Sequence, residues 1–404
     1  MEAGGTPAAP GDTGDAHRRD AVPPALSHDR GRSVGQGASS WMHAPTYVAI
    51  RMALGAVMMC PPEETIRLAG AIGRAYGASR FNTRRLQRAI DHLQIAFPDW
   101  SAEQRRLCAV GSYEHLFRLG AEVAYGPRLL TEDGWRHHIH VSRIDAAVRT
   151  LIESRPVVLI TGHCGNWEVL GFTIALLGFP MHALYRPLDS RPLDQWVRQT
   201  RARRGLILVD KFGAVNRLPQ LMRSGAPAGF VADQNGGDRG VFVPFFNRLA
   251  STYKAIGLLA MQFGATVVCG CARRVESASE LTDDPREAAR LRTSSRGLLY
   301  SMELHDVFGP DDWQAHEDSL FYLTARYRRA MEQMVRAAPT QYLWMHRSWR
   351  SRPPHERQGK PFPTRLESHL RGLPWLTEAD IERIKDQSAR DARTLAETGT
   401  TKLS

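Results

Sequence analysis

Cysteine is scarce in this sequence, with five residues in 404. An odd and sparse set does not indicate a disulfide framework, and no pair has the CxxC spacing of a zinc or thiol redox site. Cys269 and Cys271 would share one face of a strand, where they are poorly placed to pair with each other. We therefore expect a reducing, cytoplasm-facing environment.

Long apolar runs are also missing. No part of the chain holds several stretches of about 20 apolar residues, which excludes a polytopic membrane protein. One run, residues 44–60, comes near this length, but Arg51 interrupts it and Pro61 and Pro62 end it. Two interpretations stay open for residues 41–61: a buried core helix, or a helix that anchors the chain at a membrane.

Large apolar side chains are almost absent from residues 1–40, which contain seven glycines and four prolines. Such a segment buries too little apolar surface to offset the entropy lost on ordering, so we predict a disordered N-terminus. It has no apolar central region and is therefore not a signal peptide.

Acidic residues are outnumbered: 42 Asp and Glu stand against 53 Lys and Arg, which gives a net charge of +11. A basic surface favours anionic partners, which include nucleic acid, acidic phospholipid and an acidic carrier protein. One predicted helix is crowded with arginines and forms either a solvated face or a contact surface for such a partner. These are Arg191, Arg198, Arg201, Arg203 and Arg204.

The periodicity of the chain changes near residue 151. Residues 62–150 have apolar positions three and four apart, which predicts helices, one of them with Ser101 as its N-cap. Residues 151–350 alternate short apolar runs with helical patterns, which predicts an α/β domain: a mostly parallel sheet flanked by helices. Within it we expect a helix over residues 311–337 and a short strand at QYLWM. Residues 351–404 are predicted to be a peripheral C-terminal tail.

The motif GHCGNWE, residues 162–168, directly follows the first predicted strand. Catalytic sites of open α/β sheets form at the carboxyl ends of strands, and here His163 lies at such an end. Asn166 is a good N-cap residue, so Trp167 and Glu168 would begin a helix. The loop can bring Glu168 beside His163, and a His–carboxylate pair suits general-base chemistry. A purely structural histidine is the simpler alternative.

Two other chemistries use the same motif. Cys164 could be a thiol nucleophile activated by His163, although adjacent side chains tend to point apart. His163 and Glu168 could bind zinc, but the sequence offers no third ligand at a convincing spacing.

Other polar residues also follow predicted strands. Arg186 would suit a phosphate or a developing oxyanion, or form a surface salt bridge. Asp233 and Gln234 could orient acceptor hydroxyls or merely cap their loop, which glycines 236, 237 and 240 would let approach a ligand. The remaining candidates are Phe242, Phe245 and Phe246, as acyl-groove or core residues, and His346 and Arg347, as structural or supporting residues.

The HX4E pattern of GHCGNWE resembles that of the late acyltransferases of lipid A biosynthesis, the lauroyl/myristoyl transferase family. This motif alone is only moderately specific, because glycerolipid acyltransferases share a version of HX4E. The resemblance therefore depends on further segments that occur in the same order as in the family. Together they cover roughly residues 45–355. Asn247 departs from the family, in which a small residue would follow the two phenylalanines. The other similar segments are HLQIAFPDWSAEQRR, YRPLDSRPLDQWVRQTRARRG, GFVADQNGGDRGVFVPFFNRLAST and PTQYLWMHRSWRSRP.

The resemblance implies a glycerolipid-acyltransferase-like α/β fold and transfer of a fatty acyl chain from acyl carrier protein to a hydroxyl of a lipid A precursor. By motif match, His163 would be the general base and Glu168 its support. From their positions in the predicted loops, we expect the substrate-binding residues to be Arg186, Asp233, Gln234 and Asn166. No metal, cofactor or covalent acyl-enzyme would be needed. The enzyme would work at the cytoplasmic face of the inner membrane, on an anionic lipid surface, and would not bind nucleic acid.

Three alternatives remain open at this stage. The acceptor could be another glycolipid or a phospholipid. The chain could be a non-catalytic lipid-binding protein that keeps the fold. It could also be a thioesterase that uses water as the acceptor.

Overall fold

The computed structural model describes residues 47–49, 51–52, 55–141, 144–153, 156–185, 187–188, 190–202, 205–210 and 213–403. The segment 1–40, which is predicted to be disordered, lies outside these residues. So do three of the arginines singled out in the sequence: Arg186, Arg203 and Arg204. Within the described ranges, no helix has the length and apolarity needed to cross a bilayer.

The segment 41–61 is described only in part, and residues 47–49, 51–52 and 55–58 are helical. Met52 and Met59 are largely exposed. The hydroxyl of Tyr125 contacts the carbonyl oxygens of Val57 and Cys60 at 2.5 and 3.0 Å. The described part of this segment is therefore tied to the domain along one side and open on the other, and it is not a buried core helix.

Between the helical residues 47–58 that the structure describes in part and the sheet lie three longer, fully described helices: α1 (Pro62–Ala78), α2 (Thr83–Ala96) and α3 (Ala102–Leu129). The N-cap predicted for α3 is confirmed, because the Ser101 hydroxyl accepts from the backbone N–H of Gln104 at 3.1 Å. The Gln104 side chain accepts in turn from the Ser101 N–H at 2.7 Å. This reciprocal pair satisfies two N–H groups that would otherwise lack partners at the helix start.

The central sheet has seven strands in the order β1-β9-β8-β2-β5-β3-β4. Every neighbouring pair is parallel except β8 with β9, so the predicted mostly parallel sheet is confirmed. The strands are β1 (Ile139–Val141), β2 (Val157–Thr161), β3 (Met181–Tyr185), β4 (Leu206–Asp210), β5 (Ala228–Val231), β8 (Thr266–Arg274) and β9 (Tyr300–Phe308).

Helices flank this sheet on both faces, because successive residues of its central strand point to opposite sides. Val158 and Ile160 of β2 belong to one apolar cluster, whereas Val157 and Leu159 belong to the other. The flanking helices are α4 (Asp145–Ile152), α5 (Trp167–Leu176), α6 (Arg191–Ala202), α7 (Ala214–Arg223), α8 (Lys254–Phe263), α9 (Pro285–Ser295), α10 (Pro310–Gln314) and α11 (Ser319–Ala337).

A β-hairpin that the sequence pattern did not predict follows β5. Its strands are β6 (Val241–Phe245) and β7 (Arg248–Thr252), and both turn residues, Phe246 and Asn247, have positive φ angles, of 51° and 52°. Phe245 and Phe246 are buried in the main core. Core packing, rather than an acyl groove, is therefore the role of these two rings.

Two further local predictions were wrong. The helix expected over residues 311–337 is interrupted after α10, and α11 begins only at Ser319. The strand expected at QYLWM is a short 3-10 turn, Pro339–Gln341, followed by a single bridge between Tyr342 and Cys164. That bridge brings the segment against the GHCGNWE loop.

The sequence predicts a peripheral C-terminal tail, but the segment 351–403 packs against the sheet domain. It forms α12 (Pro354–Arg357), α13 (Thr364–Arg371) and α14 (Glu378–Thr398). Leu370, Ile381 and Ile384 from this segment join the main apolar cluster of the sheet domain. Its few apolar residues therefore cover the hairpin side of the core.

A buried network of four charges joins this segment to the hairpin. Arg248 of β7 contacts Asp391 of α14 at 2.6 Å. Arg352 contacts the other oxygen of Asp391 at 2.7 Å and Glu356 at 2.6 Å. Each charge has an opposite partner, which is the condition under which ions are tolerated in an interior.

We predict that Asp391→Ala destabilises the protein by about 3–5 kcal/mol, because it leaves two buried guanidinium groups short of a counter-charge. Denaturant-induced unfolding measures the effect. Glu382→Ala is the matched control on the same helix, since Glu382 forms an exposed pair with Lys385, and its free energy of unfolding should stay nearly unchanged. Equal effects of the two substitutions would contradict a structural role for the buried network.

Candidate active site

His163 lies in the loop between β2 and α5, at the carboxyl end of the central strand. The side chain of Asn166 accepts a hydrogen bond from the Val169 N–H at 3.1 Å and so caps α5. The N-cap predicted from the motif is confirmed, and it fixes where the loop ends and the helix begins.

Gly165 explains why this loop can lie so close to β8. Its φ angle is +59°, and a Cβ atom at this position would lie 2.2 Å from the carbonyl oxygen of Ala272. That carbonyl accepts from the Asn166 N–H at 2.8 Å, and the Gly165 N–H donates to Gln341 at 2.9 Å. A residue without a side chain is required for these contacts.

Asn166 is buried and has only internal partners. Its side-chain amide donates to the Tyr300 hydroxyl at 2.9 Å and to Glu122 at 3.2 Å. Burial alone would raise the pKa of Glu122, but the adjacent Arg274 guanidinium outweighs it and lowers the pKa. Asn166 thus anchors the loop that carries His163 to a buried ion pair and presents no exposed surface to a substrate.

Asp233 is the hydrogen-bonding partner of His163. The distance from His163 Nδ1 to Asp233 Oδ1 is 2.7 Å. Strands β2 and β5 are paired in parallel, with Thr161 opposite Val231, so the residues that follow them meet at one edge. Asp233, expected from the sequence either to orient acceptor hydroxyls or to cap its loop, provides the carboxylate partner that the motif predicts at Glu168.

The electrostatics of the pair suit proton transfer. Asp233 is only 1% exposed. Burial alone would raise the pKa of Asp233, but the charge and hydrogen bond of His163 hold the pKa well below its usual range. An ionised carboxylate on Nδ1 keeps the proton there and leaves the lone pair of Nε2 free to accept another.

Glu168 pairs with a different residue. Its carboxylate accepts from Arg201 of α6 through both oxygens, at 2.9 Å from Nε to Oε2 and in a second, shorter contact from Nη2 to Oε1. The predicted support of His163 by Glu168 is thus replaced by a link between α5 and α6. Arg201, expected on a solvated or partner-binding face, belongs to the wall of the site instead.

An apolar cavity of about 470 Å³ opens beside His163. Its wall is built mainly from strand and helix side chains such as Leu170, Ala183 and Phe230, while Gln234 and the Glu168–Arg201 pair supply polar groups. Such a cavity is suited to a long alkyl chain, whose burial is favourable at every methylene.

His346, expected from the sequence to be a structural or supporting residue, is a third member of the site. Its ring centroid lies 4.7 Å from that of His163. Its Nδ1 is 4.0 Å from Asp233 Oδ2, beyond hydrogen-bond length. Ligand atoms of His163, Asp233 and His346 lie within 4.8 Å of one another, as do those of Cys271, Glu303 and His305, so either group could hold a metal ion.

Cys164 points away from the cavity and is buried, with its Sγ 3.9 Å from the Sδ of Met334. The glycines of the next loop also have a packing role: a Cβ on Gly236 would lie 2.6 Å from the backbone of Thr252, and one on Gly240 would meet Ser251. Gly236 and Gly240 thus let the loop pack against β7, whereas a Cβ on Gly237 would meet no atom within 4 Å.

The fold and site define an α/β enzyme with a His–Asp pair beside an alkyl-sized cavity. The sequence profile described as "Bacterial lipid A biosynthesis acyltransferase" matches residues 37–351. This chain belongs to that family and is an acyltransferase.

The relatives are only 24–27% identical to this chain, but the match covers most of the length of each relative. The lipid A biosynthesis palmitoleoyltransferase of Escherichia coli K12 is 27% identical over 279 residues, or 68% of this chain and 82% of the relative. The lipid A biosynthesis lauroyltransferase of the same organism is 25% identical over 307 residues, which are 74% of this chain and 89% of the relative. A lipid A biosynthesis acyltransferase of Haemophilus influenzae is 24% identical over 242 residues, which are 55% of this chain and 73% of the relative.

We predict that Asp233→Asn lowers kcat for acyl transfer by about two to four orders of magnitude, because a neutral amide does not stabilise the imidazolium and its N–H can donate to Nδ1 of His163, which places the proton on Nε2. Glu168→Gln should have a smaller effect, since Glu168 contacts Arg201 rather than the base. Steady-state kinetics compares the two near-isosteric variants, and near-wild-type kcat in Asp233→Asn would argue against this pairing.

Proposed function

We propose that this enzyme transfers a fatty acyl chain from acyl carrier protein to a hydroxyl of a lipid A precursor, with His163 as the general base. The observation that carries the proposal is the His163–Asp233 hydrogen bond of 2.7 Å beside an apolar cavity. A base and a chain-binding cavity are the two parts that direct acyl transfer needs.

The reaction would proceed in one displacement. Nε2 of His163 takes the proton of the acceptor hydroxyl while the oxygen attacks the thioester carbonyl carbon. The carbon–sulfur bond then breaks, and the imidazolium returns the proton to the departing thiolate. A thioester is already activated, so no covalent acyl-enzyme is required. This fits the orientation of Cys164, which is buried away from the cavity.

We further propose that the enzyme acts at the cytoplasmic face of the inner membrane. The net charge of +11 favours both anionic lipid and an acidic carrier. Large apolar side chains are exposed at Met59, Leu68, Ile72 and Phe81, with exposed fractions of 51–88%. Exposed apolar side chains on a protein of net positive charge support peripheral contact with a bilayer.

His163→Ala should reduce transfer by about two to four orders of magnitude, the usual contribution of a general base. The assay incubates purified protein with labelled acyl carrier protein, with and without lipid A precursor. Acyl release that needs no precursor would identify a thioesterase, and no turnover at all would identify a lipid-binding protein.

Cys164→Ala is the control on the adjacent residue and should retain most of the activity. Mass spectrometry of the wild type, quenched during turnover, should find no acyl group on Cys164. An acyl-Cys164 intermediate would reject the single displacement in favour of a two-step mechanism.

Ala183→Phe should shift the preferred donor to shorter chains, because Ala183 lines the cavity and the added ring removes space for several methylenes. The kcat/KM ratio of long to short donors should fall about tenfold or more. Ala183→Ser is similar in size and should leave the ratio unchanged. An unaltered ratio in Ala183→Phe would mean that the acyl chain binds elsewhere.

A further inference from the structure

A second cavity, of about 490 Å³, lies next to the catalytic pair. Arg85 and Arg88 of α2 line it from one side, and Arg347 and Arg350 from the segment after α11 line it from the other. We call it the basic cavity. It brings four guanidinium groups from two distant parts of the chain to one opening.

The four arginines of the basic cavity differ in their ionic partners from arginines elsewhere in the described part of the chain. Among the described residues, no carboxylate lies within salt-bridge distance of any of the four, whereas Arg201, Arg248, Arg274 and Arg326 are all paired. Arg88 is half-buried and its Nε has no hydrogen-bond partner in the described structure. Burial and repulsion from Arg347 and Arg85 lower the pKa of Arg88. A cluster of unpaired cations is stabilised when an anion binds among them.

The basic cavity adjoins the site of acyl transfer. Gln234 lines both the basic cavity and the apolar cavity, and His346, whose ring contacts His163, lines the basic one. A single ligand can therefore present a hydroxyl to His163 while an anionic group on the same molecule lies among the arginines.

We infer that the basic cavity binds a phosphomonoester of the acceptor and so positions its hydroxyl beside His163. The inference rests on the proposed function, because it takes the acceptor to be a phosphorylated glycolipid. Guanidinium groups match the oxygens of a phosphate with paired N–H donors, and several of them together can neutralise a doubly charged group. The phosphodiester of the donor's carrier arm is the competing source of such an anion.

The test is the double variant Arg88→Gln/Arg347→Gln, with Arg84→Gln as the matched control. Arg84 is exposed on the same helix and does not line the cavity. KM for the lipid A precursor should rise roughly ten- to a hundredfold in the double variant, with kcat changed only a few fold, and neither should change in the control. The wild type should prefer the precursor over the same precursor treated with phosphatase, and the double variant should lose that preference.

Equilibrium binding of both precursors in neutral detergent micelles, without donor, separates this inference from the proposed function. Tighter binding of the phosphorylated form by the wild type alone would support the phosphate site even if no transfer were found. Equal binding of both forms by the wild type would overturn it. The inference would also be overturned if the double variant raised the KM for the donor and left the KM for the acceptor unchanged, because the arginines would then bind the carrier arm. The single variant Arg347→Gln, at an exposed position, gives the same comparison if the double variant folds poorly.

Discussion

The hydrogen bond between His163 and Asp233 joins the ends of two neighbouring parallel strands, and several other parts of the molecule serve to hold it. Arg328 of α11 is fully buried and donates to the Asp233 carbonyl oxygen at 2.8 Å. The same guanidinium lies 4.0 Å from the ring centroid of Phe245 in the hairpin. On the other side, Gly165 and Asn166 bind the His163 loop to β8. The pair is therefore positioned by α11 and the hairpin on the Asp233 side and by β8 on the His163 side.

The sequence was sufficient for the local features of the site. Alternation of apolar runs with helical patterns predicted the parallel sheet, and the motif predicted a histidine at a strand end with Asn166 capping the next helix. It was not sufficient to identify the partner of His163. Glu168 was favoured because it is near in sequence, whereas Asp233 is 70 residues away. Its approach depends on β5 pairing with β2, a strand order that no local pattern encodes.

The hairpin and the C-terminal helices show why other elements were missed. The Phe246–Asn247 turn has no glycine, and its positive φ angles are stabilised by tertiary contacts, among them the bond from the Phe246 N–H to Glu332 at 2.7 Å. Charged residues such as Asp391 look like a solvated helix face in the sequence. They are buried here because arginines from β7 and from the segment before α12 supply counter-charges, and such pairing over long sequence distances cannot be seen in composition.

The ends of the strands and the residues within them contribute different parts of the site, and this affects how such an enzyme can diversify. His163 and Asp233 lie in loops after β2 and β5, whereas side chains within the strands, such as Ala183 and Phe230, shape the apolar cavity. Single changes in the strand bodies can alter the volume of the cavity and leave the His–Asp pair undisturbed. The shape of the cavity can therefore change during evolution through ordinary core substitutions while the His–Asp pair is kept.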